Sequence, residues 1–275
     1  MKRLDARQTQ RLLREPGLDS SRGAGFAFRD RSGDVVYDWH SHDHHQLLYA
    51  FSGTAQLEAG GIRFFLPPQR AAWIPAGVRH RTWFDRVESG SIYFSPRVTS
   101  LPADRVRILA APPVMREMVG YAMRWPVGAA EADPLAQRFF ETLALLCQEW
   151  VLAEMPFYLP SSQHPAIVRA MDYAQADLAN ATQAGALRAA GLSERTFRRM
   201  FRRETGMSWQ AYVGQSRMVA AMAALAERQA RVTDVAAGIG FESLSAFAKA
   251  FTRFAGESPS RYRRRVAMFP ASGPP

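Results

Sequence analysis

Two stretches of the C-terminal half repeat one another at a fixed distance. GLSERTFRRMFRRETGMSWQAY (191–212) is echoed by FESLSAFAKAFTRFAGESPSRY (241–262). Phe197 recurs as Phe247, Phe201 as Phe251, Gly206 as Gly256, Ser208 as Ser258 and Tyr212 as Tyr262, each pair 50 residues apart. A short helical segment precedes each copy, NATQAGALRAAG and then VTDVAAGIG. A short helix, a tight turn, a serine placed to cap the next helix (Ser193, Ser243) and an amphipathic helix ending at glycine make a helix-turn-helix. Duplication restricts residues 165–267 to an all-α domain holding two such motifs. The segment joining them, WQAYVGQSRMVAAMAALAE (209–227), makes a helix of about 27 Å at about 1.5 Å per residue. That length suits two helices held about one DNA turn apart, roughly 34 Å.

The charge follows the repeat. The formal net charge is +10. Residues 1–164 carry 19 Lys and Arg against 17 Asp and Glu, whereas residues 165–275 carry 16 against 8. The excess therefore sits in the duplicated half and calls for a polyanionic partner, nucleic acid ahead of membrane. In the first copy Arg195, Arg198, Arg199 and Arg202 step by three and four along one outward arc. Phe197, Met200 and Phe201 take the opposite side.

LSERTFRRMFRRETGMS, VTDVAAGIGFESLSAFAKAF and the closing GESPSRYR resemble the AraC/XylS family of bacterial transcription regulators. The resemblance covers about residues 165–266. It implies a double helix-turn-helix that lays two recognition helices in adjacent major grooves of double-stranded DNA. By position in the family motif, Arg195, Arg198 and Arg199 fall where side chains reach base edges, and arginine is the commonest reader of guanine. Arg202 and Arg203 suit phosphates. In the second copy Leu244, Ser245, Ala246 and Lys249 are expected on the matching arc. Leu244 either touches a thymine methyl or packs against protein, and Lys249 and Arg253 suit the phosphate backbone. Ser258 is placed to cap a last helix with Pro259 at its first position. Arg261, Arg263, Arg264 and Arg265 are phosphate contacts or a solvated tail.

The N-terminal half has a different texture. Residues 1–24 read as a polar tail. From 25 to 100, short runs such as VVYDW, QLLYAF, TAQLEA, IRFFL, AAWIP and SIYFS alternate with turn residues, which predicts a small antiparallel barrel. Residues 101–155 read as helical, with a stripe of Leu135, Phe139, Leu143, Leu146 and Trp150 that serves either a homodimer contact or burial against the barrel. Residues 156–164 read as a Pro- and Ser-rich linker and 268–275 as a disordered tail. The expected fold class is thus multidomain: an all-β barrel with helices, then an all-α reader.

HSHDHHQLLYAFSG (40–53) holds four of the six histidines. His40 and His42 share a face if they lie on a strand, and Gln46 follows on the same parity. WIPAGVRH (73–80) ends in His80. These two stretches resemble the cupin motifs, with Gln46 where the family has an acid and Phe84 where it often has a polar residue. The resemblance implies a sensor barrel in which His40, His42, Gln46 and His80 meet a small-molecule effector. His40, His42 and His80 would also suit a divalent transition metal (Zn, Ni, Fe or Mn), although a neutral amide at 46 holds a cation less well than a carboxylate. A metal site, a metal-free effector pocket and plain core histidines all remain open at this point. His44 and His45 are expected at the mouth or surface, and Trp39, Tyr49 and Trp73 in the core.

The expected function is sequence-specific transcription regulation under effector control, with RNA polymerase a further partner if the protein activates. A cupin metalloenzyme fused to a DNA reader is the alternative. No phosphate loop, nucleophile triad or carboxylate pair supports catalysis. The single Cys147 permits no intramolecular disulfide and fits a reducing compartment. The charged N-terminus lacks the apolar core of a signal peptide, and no apolar run reaches the roughly 18 residues of a membrane span. A cytoplasmic protein is expected.

Overall fold

The computed structural model describes residues 2–14, 23–67, 70–101, 104–152, 158–227 and 229–267. The chain divides into two compact units near residues 157 and 158.

The first unit contains β1 (Lys2–Leu4), α1 (Ala6–Arg14), β2 (Gly25–His40), β3 (His45–Ser52), β4 (Ala55–Ala59), β5 (Ile62–Leu66), β6 (Arg70–Ile74), β7 (His80–Phe94), β8 (Arg107–Ala110), α2 (Pro113–Ala122) and α3 (Pro134–Leu152). The long strands β2 and β7 run antiparallel, from Gly25 opposite Phe94 to His40 opposite His80. The other edge of β7 is divided: residues 80–83 pair with β4, and residues 88–94 pair with β3. Two layers, β8-β6-β3 and β4-β5, therefore hang on one strand. Register shifts in β2 and between Ala50 and Ser52 in β3 supply the bends.

Strand β3 is buried on both faces, from His45 through Phe51. Leu47, Tyr49 and Phe51 join Trp73, Ile92 and Phe94 in a core closed by Met115 and Val119 of α2 and by Phe140, Leu143 and Cys147 of α3. A side chain at Gly90 would meet Met123, Phe51 and Val119 at 2.9–3.0 Å, so the α2 segment lies directly on β7. The alternate residues of β3, beginning with Gln46, point to the opposite side.

Several boundaries differ from the sequence expectation. Residues 2–4 are not part of a tail but a strand paired in parallel with Val35–Tyr37 of β2, and Thr9 of α1 accepts a hydrogen bond from Asp38 N–H. The region expected to be helical begins with β8, which pairs with β6 and extends the sheet to residue 110. Within the expected linker, residues 158–160 form a short strand, β9. The tail 268–275 lies outside the described residues.

The apolar stripe of α3 also divides. Leu143 is fully buried in the unit's own core and Leu135 is 56% exposed. Phe139, Leu146 and Trp150 are half-buried. The buried face is instead Ala136, Phe140, Leu143, Ala144, Cys147 and Val151. Periodicity located an amphipathic helix but placed its buried face about a quarter of a turn away, because Leu, Phe and Trp outweigh Ala and Cys in a hydropathy reading while small residues allow the closest packing.

The second unit contains α4 (Pro165–Ala176), α5 (Gln183–Ala190), α6 (Glu194–Thr205), α7 (Trp209–Leu225), α8 (Val232–Gly238), α9 (Leu244–Ala255) and α10 (Pro259–Ala267). The sequence repeat is also a packing repeat. Phe197 and Phe201 have ring centroids 5.4 Å apart, and Phe247 and Phe251 have theirs 5.6 Å apart. Phe201 meets Tyr212 at 5.5 Å, and Phe251 meets Tyr262 at 5.6 Å. Gly206 and Gly256 end α6 and α9 in the left-handed conformation, at φ 73° and 77°, which glycine adopts without steric cost. Ser208 caps α7 and Ser258 caps α10 through their hydroxyls. Ser243 likewise caps α9. Ser193 departs from the repeat: no backbone N–H of α6 bonds its side chain, and its hydroxyl donates to Thr196 Oγ1. Nine residues of α7 are buried, among them Trp209, Tyr212, Met218, Val219, Met222 and Leu225.

Candidate functional site

In the first unit, strand pairing brings His80 opposite His40. The turn at Pro75–Arg79, with Gly77 at φ 76°, returns the chain from β6, and Gly77 N–H donates to His42 O at 2.9 Å. His42 itself lies just beyond the end of β2, so of the two only His40 stands on that strand. Ring centroids of His40 and His80 are 4.2 Å apart, of His42 and His80 5.2 Å, and of His40 and His42 6.3 Å.

Each of the three imidazoles has one nitrogen tied to the backbone. His40 Nδ1 donates to Asp38 O at 2.7 Å, His42 Nδ1 to His44 O at 2.6 Å and His80 Nδ1 to Val78 O at 2.8 Å. A carbonyl only accepts, so each Nδ1 carries a proton, and a ring that is neutral keeps its lone pair on Nε2. His42 Nε2 lies 3.1 Å from Gln46 Oε1, and Gln46 Nε2 donates to Ser91 Oγ at 2.8 Å. That contact needs either a second proton on His42, carried by Nε2, or an amide turned end for end. His80 Nε2 is buried and has no hydrogen-bond partner among the described residues.

Burial, the largest cause, together with the neighbouring His42, lowers the His40 pKa from 6.5 to about 4 against the opposing pull of the Asp38 carbonyl. His80, fully buried beside His40 and His42, is held well below 6.5. Tyr93 closes one side, 5.2 Å from the His42 ring, and burial raises its phenol. His40 and His80 are thus held neutral. Among the described residues no three His, Cys, Asp or Glu side chains stand at metal-binding geometry.

His44 and His45 are buried rather than placed at a mouth. His44 packs edge-on against Phe26 at 5.3 Å. His45 stacks on Trp73 at 5.2 Å and accepts from Ala76 N–H. One residue from Gln46 on a strand, His45 must face the helix-covered side. Tyr49 and Trp73 are core as expected, whereas Trp39 is only half-buried and lies beneath the guanidinium groups of Arg79 and Arg81.

In the second unit Arg195, Arg198, Arg199 and Arg202 are all exposed along α6, while Phe197 and Phe201 are buried. Arg198 forms an ion pair with Glu194 at 2.8 Å. Among the described residues none is shown for Arg195, Arg199 or Arg202. On α9, Ser245, Ala246 and Lys249 are exposed and Leu244 is 48% exposed, so Leu244 is not buried against protein. The 50-residue offset pairs Arg198 with Ala248, a position the sequence reading passed over in favour of Ala246.

The arginines of α10 are largely occupied. Arg263 donates to Ala230 O at 2.8 Å, and Arg265 pairs with Glu257 while covering the Tyr262 ring. Arg261 stands 3.9 Å from Glu257. Only Arg264 of that run is exposed without a partner among the described residues. Two further arginines, Arg169 and Arg217, hold backbone carbonyls of Ala189, Ala190, Leu178 and Ala179. Their structural role has no local sequence signal.

A barrel with buried histidines, followed by a duplicated helix-turn-helix with a row of exposed arginines, fits a transcription regulator that couples a ligand-binding domain to a DNA reader. Residues 23–153 match the AraC-like ligand binding domain, and residues 187–265 match a helix-turn-helix domain. The HTH-type transcriptional regulator NimR of Escherichia coli (strain K12) is 27% identical over 268 residues, 95% of each chain. The HTH-type transcriptional activator RhaR of Yersinia pseudotuberculosis is 40% identical over 79 residues, covering 29% of this chain and 27% of that one. ToxT of Vibrio cholerae O395 has a TM-score of 0.39 at 12% identity, covering 88% of this chain and 97% of that one, too distant to carry an argument. The chain belongs to the AraC family of transcriptional regulators and is not an enzyme. Among the described residues no helix is long and apolar enough to cross a membrane.

Proposed function

We propose that α6 and α9 enter adjacent major grooves of one operator. Arg195, Arg198 and Arg199 read bases, Arg202 and Lys249 contact phosphates, and Ser245 and Ala246 lie at the second groove. The effector is a small molecule held in the barrel by His40, His42, Gln46 and His80. It acts in the cytoplasm on a homodimer, which meets RNA polymerase if the protein activates. The observation that carries the reading is the row of four exposed arginines on α6, backed by buried Phe197 and Phe201. A solvated surface helix mixes its charges, whereas a guanine edge accepts two hydrogen bonds from one guanidinium. Helix α7, at 17 residues, is about 25 Å long, a span that fits two recognition helices about one DNA turn apart.

The test is selection of binding sites from random duplexes by the full-length protein, repeated with Arg199→Ala. Enrichment of a bipartite site whose preference relaxes in one segment supports the reading. Equal binding of selected and random DNA overturns it. Selection repeated at graded protein concentration, with light scattering, checks the dimer.

A second reading of the barrel is favoured by one observation. Three rings have their Nδ1–H groups anchored on carbonyls, and among the described residues His80 Nε2 has no partner. Anchoring of this kind orients metal-ligating histidines. A divalent transition metal would be held by His40, His42 and His80 and would supply a Lewis acid to the effector. Elemental analysis of untagged protein, compared with His42→Ala, decides between the two.

A further inference from the structure

In the second helix-turn-helix, carbon stands where the first carries charge. The 50-residue offset sets Glu194, Arg198 and Arg202 of α6 against Leu244, Ala248 and Thr252 of α9. Each trio steps by four residues and so forms one row along its helix. In α6 the row is ionic, with Arg198 bonded to Glu194. In α9 it is a leucine, a methyl group and a threonine.

Leu244 is 48% exposed, and among the described residues it is the one large apolar side chain of the second unit left so open. Ala248 is half-buried and Thr252 exposed. The inward face of α9 is already filled by Phe247, Phe251 and Ala255. The helix start is pinned: Ser243 accepts from Ala246 N–H at 3.3 Å, and its hydroxyl meets that of Ser245 at 2.8 Å. Leu244 therefore stays outward.

A leucine side chain offers no hydrogen bond to any base edge. Against guanine, adenine or cytosine it would strip water from polar atoms and leave them unpaired. Thymine alone presents a methyl group in the major groove. From this we infer that α9 reads thymine through its C5-methyl, with Leu244 as the specificity-determining contact and Ala248 and Thr252 extending the apolar row. The inference rests on the proposal that α6 and α9 enter adjacent grooves. It makes the operator chemically unequal, with guanine facing α6 and thymine facing α9.

Sites selected by the full-length protein supply the probe. The segment whose preference relaxes with Arg199→Ala belongs to α6, and the other belongs to α9. Thymines of the α9 segment are then replaced singly by deoxyuridine, which removes the methyl group and keeps every hydrogen-bonding edge. The contacted position should lose about fourfold in affinity, the worth of one buried methyl group. The same replacement should leave binding by Leu244→Ala unchanged. Leu244 is half exposed, so thermal unfolding of that variant should match the parent. The inference is overturned if the α9 segment shows no thymine preference, or if no uracil replacement there weakens binding while Arg199→Ala still relaxes the other segment. That second outcome leaves the DNA-reading proposal intact. Sites with no sequence preference anywhere would remove both.

Discussion

The histidines of the first unit and the arginines of the second meet opposite electrostatic conditions. His40 and His80 sit in a barrel interior where burial and the neighbouring His42 keep them neutral. Arg195, Arg199 and Arg202 sit in water on a helix that supplies few counter-charges. A buried group gives up its charge because desolvation is costly, whereas an exposed guanidinium keeps its charge and awaits a partner. One unit therefore presents uncharged imidazoles at His40 and His80 in its interior. The other attracts a polyanion from a distance.

Introducing a full charge into the first unit should have the largest effect. Leu143→Arg places a guanidinium among Phe140, Ala144 and Cys147 and should destabilise by about 4 kcal/mol or more. Leu145→Arg on the same helix, where the parent side chain is 62% exposed, should change stability by about 0.5 kcal/mol or less. Denaturant melts of the two variants check this. Equal stability would mean that the α3 face is misassigned.

Acid should expose the same asymmetry more gently. The folded pKa of His40 near 4 lies below the unfolded value of 6.5, so the unfolded chain takes up its proton first. Stability present above about pH 6.5 is then lost as pH falls towards 4, by about 3 kcal/mol from His40, with His80 adding in the same direction. His40→Gln should flatten that part of the pH-stability curve. An unchanged slope would show that His40 is not held neutral.

On the DNA side the effects are smaller per residue. Arg199→Ala should cost about 1–3 kcal/mol against its selected site and little against random DNA. Arg202→Ala should weaken both alike and reduce the salt slope by about 0.9. Titrations at several salt concentrations distinguish the two roles. The smallest effect should come from Glu194→Ala, which releases Arg198 from an exposed pair worth at most about 0.5 kcal/mol. A large loss of DNA binding in that variant would mean that Glu194 sets the position of Arg198.

Much of the reader was legible because its signals are local. Helix period, glycine at helix ends and serine before helix starts act within a few residues. A repeat of 50 residues shows which of those positions matter twice. The arginine arc of α6 follows from spacing alone. The sensor was legible only in part. The spacing of His40, His42, Gln46 and His80 pointed to one cluster, and the strand pairing of β2 with β7 brings His40 and His80 together.

The remaining features depend on contacts between distant residues, which no local pattern encodes. His44 and His45 look equivalent to their neighbours in sequence, yet both are buried and each packs on an aromatic ring, Phe26 or Trp73, supplied by a distant part of the chain. Arg263 and Arg265 look as free as Arg199 until Ala230 and Glu257 arrive beside them. Leu143 differs from Leu145 only in what the sheet lays against it. Sequence alone determined the periodic elements, the duplicated helix-turn-helix and the sign of the charge it carries. The tertiary structure decided which face of each element is buried and which charged groups are left without a partner, because burial and pairing are properties of neighbours brought together by folding.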